Sequence, residues 1–92
     1  MPLLLVTYDL KTPGRDYTAL FNEIKGNSEV WWHYLTNTWL VKTAWTANNL
    51  GRHLLKFITS NDRLLVIEVT GVGQGWLPND AWGWIRKHSV SP

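Results

Sequence analysis

The chain has 92 residues, enough for a single domain (residues 1–92) and too few for two independent cores. Hydrophobic residues make up 45% of it, charged residues 17%, and seven are tryptophan, a composition that predicts a folded domain and excludes a disordered tail. The absence of cysteine excludes disulfides, thiolate zinc sites and cysteine nucleophiles, and a net charge of +2 is too weak to indicate a nucleic-acid partner by itself.

The first half of the chain predicts a strand, a helix and a hairpin. Residues 3–10 form a short apolar run that ends at a Thr-Pro-Gly turn, as a buried strand would. This run is too short for a signal peptide or a membrane span, so we expect a cytoplasmic protein with no membrane partner. Asp16 is the predicted cap of a helix that Gly26 and Asn27 end in a left-handed conformation. Residues 30–35 and 39–43 are aromatic and β-branched, which predicts a hairpin.

The second half repeats the plan and adds a helix. Thr46 is the predicted cap of a helix over residues 47–58, and residues 63–69 predict a strand. A glycine-rich loop at residues 71–75 lacks the Lys-Ser/Thr pair of a phosphate-binding loop, and we expect its glycines to reverse the chain and lay Trp76 on the body of the protein. The segment Pro78-Asn79-Asp80 opens a short helix over residues 81–88 that carries two tryptophans.

The predicted order is therefore β-α-β-β-α-β with an extra C-terminal, Trp-rich helix. This order is typical of the α+β, ferredoxin-like fold. We expect one four-stranded antiparallel sheet with both long helices packed on one of its faces.

The other face of this sheet is predicted to be half aliphatic. Side chains alternate along a strand, and Thr7, Asp9 and Glu68 indicate the face that points away from the helices. The apolar residues assigned to that face are Leu3, Leu5, Leu64 and Val66. An apolar open face has two interpretations: a homodimer packs sheet against sheet, or the C-terminal helix folds back over the face.

Three segments of the chain resemble a group of short bacterial and phage proteins described as SinR-like. That group has the ferredoxin-like plan of the CRISPR-associated endoribonuclease subunit of the spacer-adaptation complex. The segments are YDLKTPGRDY at residues 8–17, WHYL at 32–35 with TWLVKT at 38–43, and DRLLVI at 62–67 with GWLP at 75–78.

The resemblance implies a homodimer in which the aspartate that ends the first strand faces its symmetry mate and holds a divalent metal. By position that residue is Asp9. Two departures are visible: the extra strand that pairs across the family's dimer is replaced by a loop and a Trp-rich helix, and the first helix has no arginine-dense surface.

Asp9 is accordingly the candidate catalytic and metal-binding residue. Two copies of this carboxylate across a twofold axis repel unless a proton or a metal lies between them. A shared Mg²⁺ or Mn²⁺ would activate water for attack on an RNA or DNA phosphodiester, with Glu68 as the only further ligand. The alternative is that Asp9 caps the turn that follows it or pairs with Lys11.

The basic and aromatic residues are further candidates for binding surfaces. Lys11, Arg15 and Lys42 are the candidate nucleic-acid contacts, as a rim at the loop ends. The aromatic residues of the hairpin either stack on unpaired bases or pack within the protein. Trp82 and Trp84 lie two residues apart on a helix and point in different directions, so one packs inward and the other is available to a protein partner.

Three functions follow from these candidates. The first is a homodimeric binding or regulatory module whose partner is RNA, DNA or another protein. The second is a metal-dependent endonuclease that uses paired Asp9 residues. The third is a phage or toxin-system protein that blocks a host protein through its Trp-rich C-terminus.

Overall fold

The computed structural model describes residues 1–69 and 73–88. The elements follow the predicted order β-α-β-β-α-β and end in a third helix. Residues 71 and 72 of the predicted glycine-rich loop lie outside the described residues. The elements are β1 Leu3–Asp9, α1 Thr18–Gly26, β2 Val30–Leu35, β3 Thr38–Lys42, α2 Ala47–Leu54, a 3₁₀ turn Leu55–Phe57, β4 Arg63–Glu68 and α3 Asn79–His88.

The four strands form one antiparallel sheet in the order β2-β3-β1-β4. β1 is central, and its Leu5 lies opposite Leu40 of β3 and Ile67 of β4. β2 and β4 are the two edges of the sheet. The chain is thus a small α+β protein whose architecture is compatible with a ferredoxin-like arrangement.

Helices α1 and α2 pack on the same face of the sheet. Leu20 and Ile24 of α1 and Leu50 and Leu54 of α2 are each four residues apart, so each pair projects from one side of its helix. Full burial of each such side chain contributes about 1.5–3 kcal/mol. They pack against the sheet residues Leu4, Val6, Tyr8, Trp39 and Val41.

The predicted N-terminal cap is found in α2, whereas in α1 it is shifted by one residue. The Thr46 hydroxyl caps α2, because its oxygen accepts a hydrogen bond from the Asn49 N–H at 3.1 Å. Asp16 accepts the Thr18 N–H at 2.9 Å, although the cap position of α1 is Tyr17.

The predicted left-handed cap at the end of α1 is wrong. Gly14 is the only residue with a positive φ among those described, so Gly26 does not reverse the chain in that way. Instead the Asn27 amide donates to the Glu23 carbonyl at 2.8 Å and the Ser28 hydroxyl donates to the Ile24 carbonyl at 2.5 Å. Two polar side chains therefore satisfy the last carbonyls of the helix.

A buried carboxylate, Asp62, joins the loop after β1 to the loop before β4. It accepts the N–H groups of Lys11 at 2.7 Å and Thr59 at 2.8 Å. The Tyr17 hydroxyl lies 2.8 Å from both carboxylate oxygens, and the hydroxyls of Thr59 and Thr12 lie at 3.2 Å and 3.4 Å. This single side chain thus connects two segments that are about fifty residues apart in the sequence.

The hydrogen bonds decide the protonation of Asp62. Burial alone would raise the pKa of this carboxyl, but the N–H groups of Thr59 and Lys11 and the hydroxyls of Tyr17 and Thr59 outweigh burial and hold the pKa well below its ordinary value. A carboxyl with a depressed folded-state pKa stabilises the fold above the unfolded value of about 3.9. That stabilisation is lost as the pH falls toward the folded-state pKa.

We expect Asp62→Asn to lower the thermal unfolding temperature near neutral pH, because the new amide places a donor against the N–H groups that the carboxylate accepts. The variant should also lose less stability than the wild type between about pH 4 and pH 2. Thermal unfolding followed by circular dichroism measures both effects. Asp9→Asn, which removes an exposed carboxylate, is the control and should unfold near the wild-type temperature. An unchanged acid profile for Asp62→Asn would contradict this account.

Within residues 1–69 and 73–88, no helix is both long enough and apolar enough to cross a membrane.

Candidate functional site

The sheet face opposite α1 and α2, called the outer face below, carries the odd-numbered residues of β1. The antiparallel register places Leu65 of β4 opposite Thr7 and Ile67 opposite Leu5, so these two side chains share that face. Leu3 and Leu40 belong to it as well, in a cluster separate from the helix-facing core.

The assignment of Leu64 and Val66 to the outer face is wrong. They lie opposite Tyr8 and Val6 and pack against the core beneath α1 and α2. Val66 is so close to α2 that a Cβ added at Gly51 would meet its Cγ2 at 3.7 Å. The polar Glu68 does not mark the outer face. It lies opposite Leu4 on the helix side of the sheet, and it is exposed because it ends β4.

Helix α3 covers one half of the outer face. Ala81 is fully buried and packs with Leu3, Trp32 and Leu40. The Trp32 indole Nε1–H donates to the Ala81 carbonyl at 3.2 Å. The interpretation in which the C-terminal helix folds back is therefore confirmed for this half.

The other half of the outer face, along β4, is open among residues 1–69 and 73–88. Leu65 is 52% exposed and Ile67 is 49% exposed, although both are aliphatic and belong to a strand. They lie next to each other on the same face of β4, an edge strand. We call Leu65 and Ile67 the open patch.

The tryptophans of the C-terminal region divide differently from the prediction. Trp84 packs against the cluster under α3, and Trp82 lines a crevice of about 230 Å³ between α3 and the outer face. Both are partly buried. Trp76, in the segment before α3, is 99% exposed. The expectation that Trp76 lies against the body of the protein is therefore wrong, and no periodic segment of the sequence assigns this residue a face.

We expect Trp84→Ala to lower the free energy of unfolding by about 1–3 kcal/mol, because it removes a large ring from the contact between α3 and the sheet. Trp76→Ala, an equal truncation at an exposed site, should change it by less than about 0.5 kcal/mol. Urea denaturation followed by circular dichroism measures both values. Equal losses in the two variants would show that α3 is not anchored in this way.

Asp9 forms an ion pair with Lys11. Its carboxylate lies 3.2 Å from the Lys11 ammonium, both side chains are mostly exposed, and Arg63 is its cross-strand neighbour. Glu68, the supplementary ligand of the hypothesis, lies at the opposite end of β4. In the part of the chain that the structure describes, no three His, Cys, Asp or Glu side chains are grouped to hold a metal. The described residues of one chain therefore do not form an Mg²⁺ or Mn²⁺ site, and a site shared between two copies of Asp9 stays a prediction.

The three candidate nucleic-acid contacts do not form one rim. Lys11 pairs with Asp9, and the Arg15 guanidinium donates to the Phe57 carbonyl at 3.3 Å. Lys42 lies opposite Leu3, at the other end of the sheet. The sequence could not show this separation, because it depends on the direction in which each strand runs.

The hairpin aromatics are divided between buried and exposed positions, since Trp32 and Trp39 are buried whereas Trp31 and Tyr34 are more than 40% exposed. Trp31 and His33 both contact the buried Trp39, and the His33 ring stacks on it with centroids 3.7 Å apart. Trp32 and Tyr34 contact each other on the outer face. The predicted division of these residues between two faces is thus confirmed, despite one extra residue in β2 between Trp32 and Leu35.

A cleft of about 650 Å³ runs along the exposed side of α2. The sequence does not indicate this cleft, because no metal ligand or catalytic residue lies near His53 along the chain. In the fold, the His53 Nε2 lies 2.6 Å from a Glu23 carboxylate oxygen of α1. The cleft is lined by Ala44, Trp45, Thr46, Asn49, Arg52, His53 and Lys56.

Comparison of the chain with protein-family models, curated proteins and solved structures found no match. The resemblance to the SinR-like group therefore stays a prediction.

Proposed function

We propose that the chain is a ferredoxin-like, homodimeric binding module in which a second copy covers the open patch. The observation that carries this proposal is the half-exposure of Leu65 and Ile67 beside a well-covered half of the same face. An aliphatic patch left open on a strand is typical of an interface. The strand order β2-β3-β1-β4 supports the fold assignment, since it puts β1 and β3 in the centre.

A second copy of the chain suits this surface because one self-complementary patch can serve both subunits. A twofold axis can place the outer face of one copy against the same face of the other, sheet against sheet, so that each open patch covers its symmetry equivalent. The half-exposed aliphatic side chains of Leu65 and Ile67 are then removed from water in both copies.

A second candidate function, the block of another protein through the Trp-rich C-terminal region, has one observation in its favour. Trp76 is almost fully exposed, and tryptophan is a common anchor of protein interfaces. This candidate uses Trp76 in place of Trp82 and Trp84, which pack against the chain itself.

The dimer is tested by sedimentation velocity at micromolar concentrations. We expect the wild type to sediment as a dimer and Leu65→Lys with Ile67→Lys to sediment as a monomer with an unchanged circular dichroism spectrum. Leu35→Lys is the matched control, because Leu35 is 47% exposed on the opposite edge strand. A monomeric wild type would overturn the proposal.

The absence of cysteine permits a second test of the same interface. Under oxidising conditions, Leu65→Cys should form a disulfide-linked dimer and Leu35→Cys should remain a monomer. Equal cross-linking of both variants would indicate random collision and would count against a dimer interface at the open patch.

The endonuclease hypothesis is tested on labelled RNA and DNA with Mg²⁺, Mn²⁺ or EDTA. We expect no metal-dependent cleavage, because the Asp9 carboxylate is already paired with the Lys11 ammonium. Cleavage by the wild type that is lost in Asp9→Ala would contradict this expectation and assign an enzymatic function to the dimer.

A further inference from the structure

The cleft along α2 has a row of side chains that suits an anionic ligand. Asn49, Arg52, His53 and Lys56 follow one another at helical spacing and line the same side. No acidic group lies within 4 Å of Arg52 or Lys56 in residues 1–69 and 73–88, and both are exposed. Two positive charges therefore project at the cleft, Arg52 from α2 and Lys56 from the 3₁₀ turn that follows it.

An aromatic wall, the ring of Trp45, stands beside this row. Trp45 precedes α2, packs partly against the core and lines the cleft. Its ring lies 5.1 Å from the ring of His53, which Glu23 holds in place at 2.6 Å. The wall is thus fixed before any ligand arrives, which reduces the entropy cost of binding.

Asn49 lies one helical turn before His53 and also lines the cleft. Its side-chain amide has a donor and an acceptor, and neither is engaged with the part of the chain that the structure describes. The Thr46 hydroxyl accepts from the Asn49 N–H, so its own proton is available to the cleft. Both groups can read the edge of a heterocyclic ring.

We propose that this cleft binds a phosphorylated nucleoside, either free or as an unpaired nucleotide of a single strand. The base stacks on Trp45, Asn49 contacts its edge, and the phosphate lies on Arg52 and Lys56. Positive charge near the end of α2 also complements the helix dipole, but that role requires neither the aromatic wall nor a cleft of about 650 Å³. The proposal does not depend on the dimer, because one chain supplies every group.

The test measures fluorescence anisotropy of a fluorescein-labelled oligothymidylate, with AMP and inorganic pyrophosphate as competitors. Arg52→Gln with Lys56→Gln should weaken binding at least about tenfold and make its salt dependence less steep. Arg86→Gln with Lys87→Gln is the matched control, because it removes the same charge from the end of α3 and should weaken binding less than about threefold. Leu65→Lys with Ile67→Lys should bind normally, which separates this site from the dimer interface.

Substitutions of Trp45 test the aromatic wall separately. Trp45→Leu should weaken binding about tenfold and Trp45→Phe far less, with folding checked by circular dichroism. If Trp45→Leu fails to fold, the paired basic variants still decide the proposal.

The competitors distinguish the two sources of the ligand. Displacement by AMP supports a free nucleotide, and binding of the oligonucleotide without displacement by AMP supports a single strand. Displacement by pyrophosphate as effective as by AMP would overturn the proposal, because the ring would then contribute nothing. Equal losses in the two paired basic variants, or no binding of either nucleotide probe, would overturn it as well.

Discussion

The central strand β1 is apolar on both of its faces, and this constraint shapes the rest of the structure. Leu4 and Val6 point toward α1 and α2, whereas Leu3 and Leu5 point the other way. A strand of this kind is stable only when both of its faces are covered, since full burial of each aliphatic side chain contributes about 1.5–3 kcal/mol to folding. One face of the sheet is covered by two helices and the other by a single helix, α3. Among the described residues, this single helix leaves the open patch on β4 exposed.

The two proposed surfaces result from this unequal cover. The outer face has α3 over Leu3 and Trp32, whereas Leu65 and Ile67 stay about half exposed in the part of the chain that the structure describes, so a second copy is the economical cover. The layer of two helices frees the exposed side of α2 from any packing role. Arg52 and Lys56 have no acidic partner there among residues 1–69 and 73–88, and they lie beside an aromatic ring that packs against the core.

Several features could be predicted because they depend on local chemistry. The Thr46 cap, the apolar spacing of Leu50 and Leu54, and the alternation along β2 each depend on residues a few positions apart. The assignment of Leu64 and Val66 failed for a different reason. Alternation divides a strand into two sets, but only the pairing with β1 decides which set faces the helices. Polarity was a poor guide to that choice, because Glu68 lies at an exposed strand end.

The sequence by itself determined the elements, their order and the periodicity within each, because these follow from contacts between near neighbours. Only the tertiary structure decided which residues from distant segments meet. Asp62 finds its donors at Lys11 and Tyr17, His53 finds Glu23, and Asp9 faces Arg63 instead of Glu68. The physical reason is that strand register and helix packing act across about thirty to fifty residues of chain, and no local pattern in the sequence encodes such a distance.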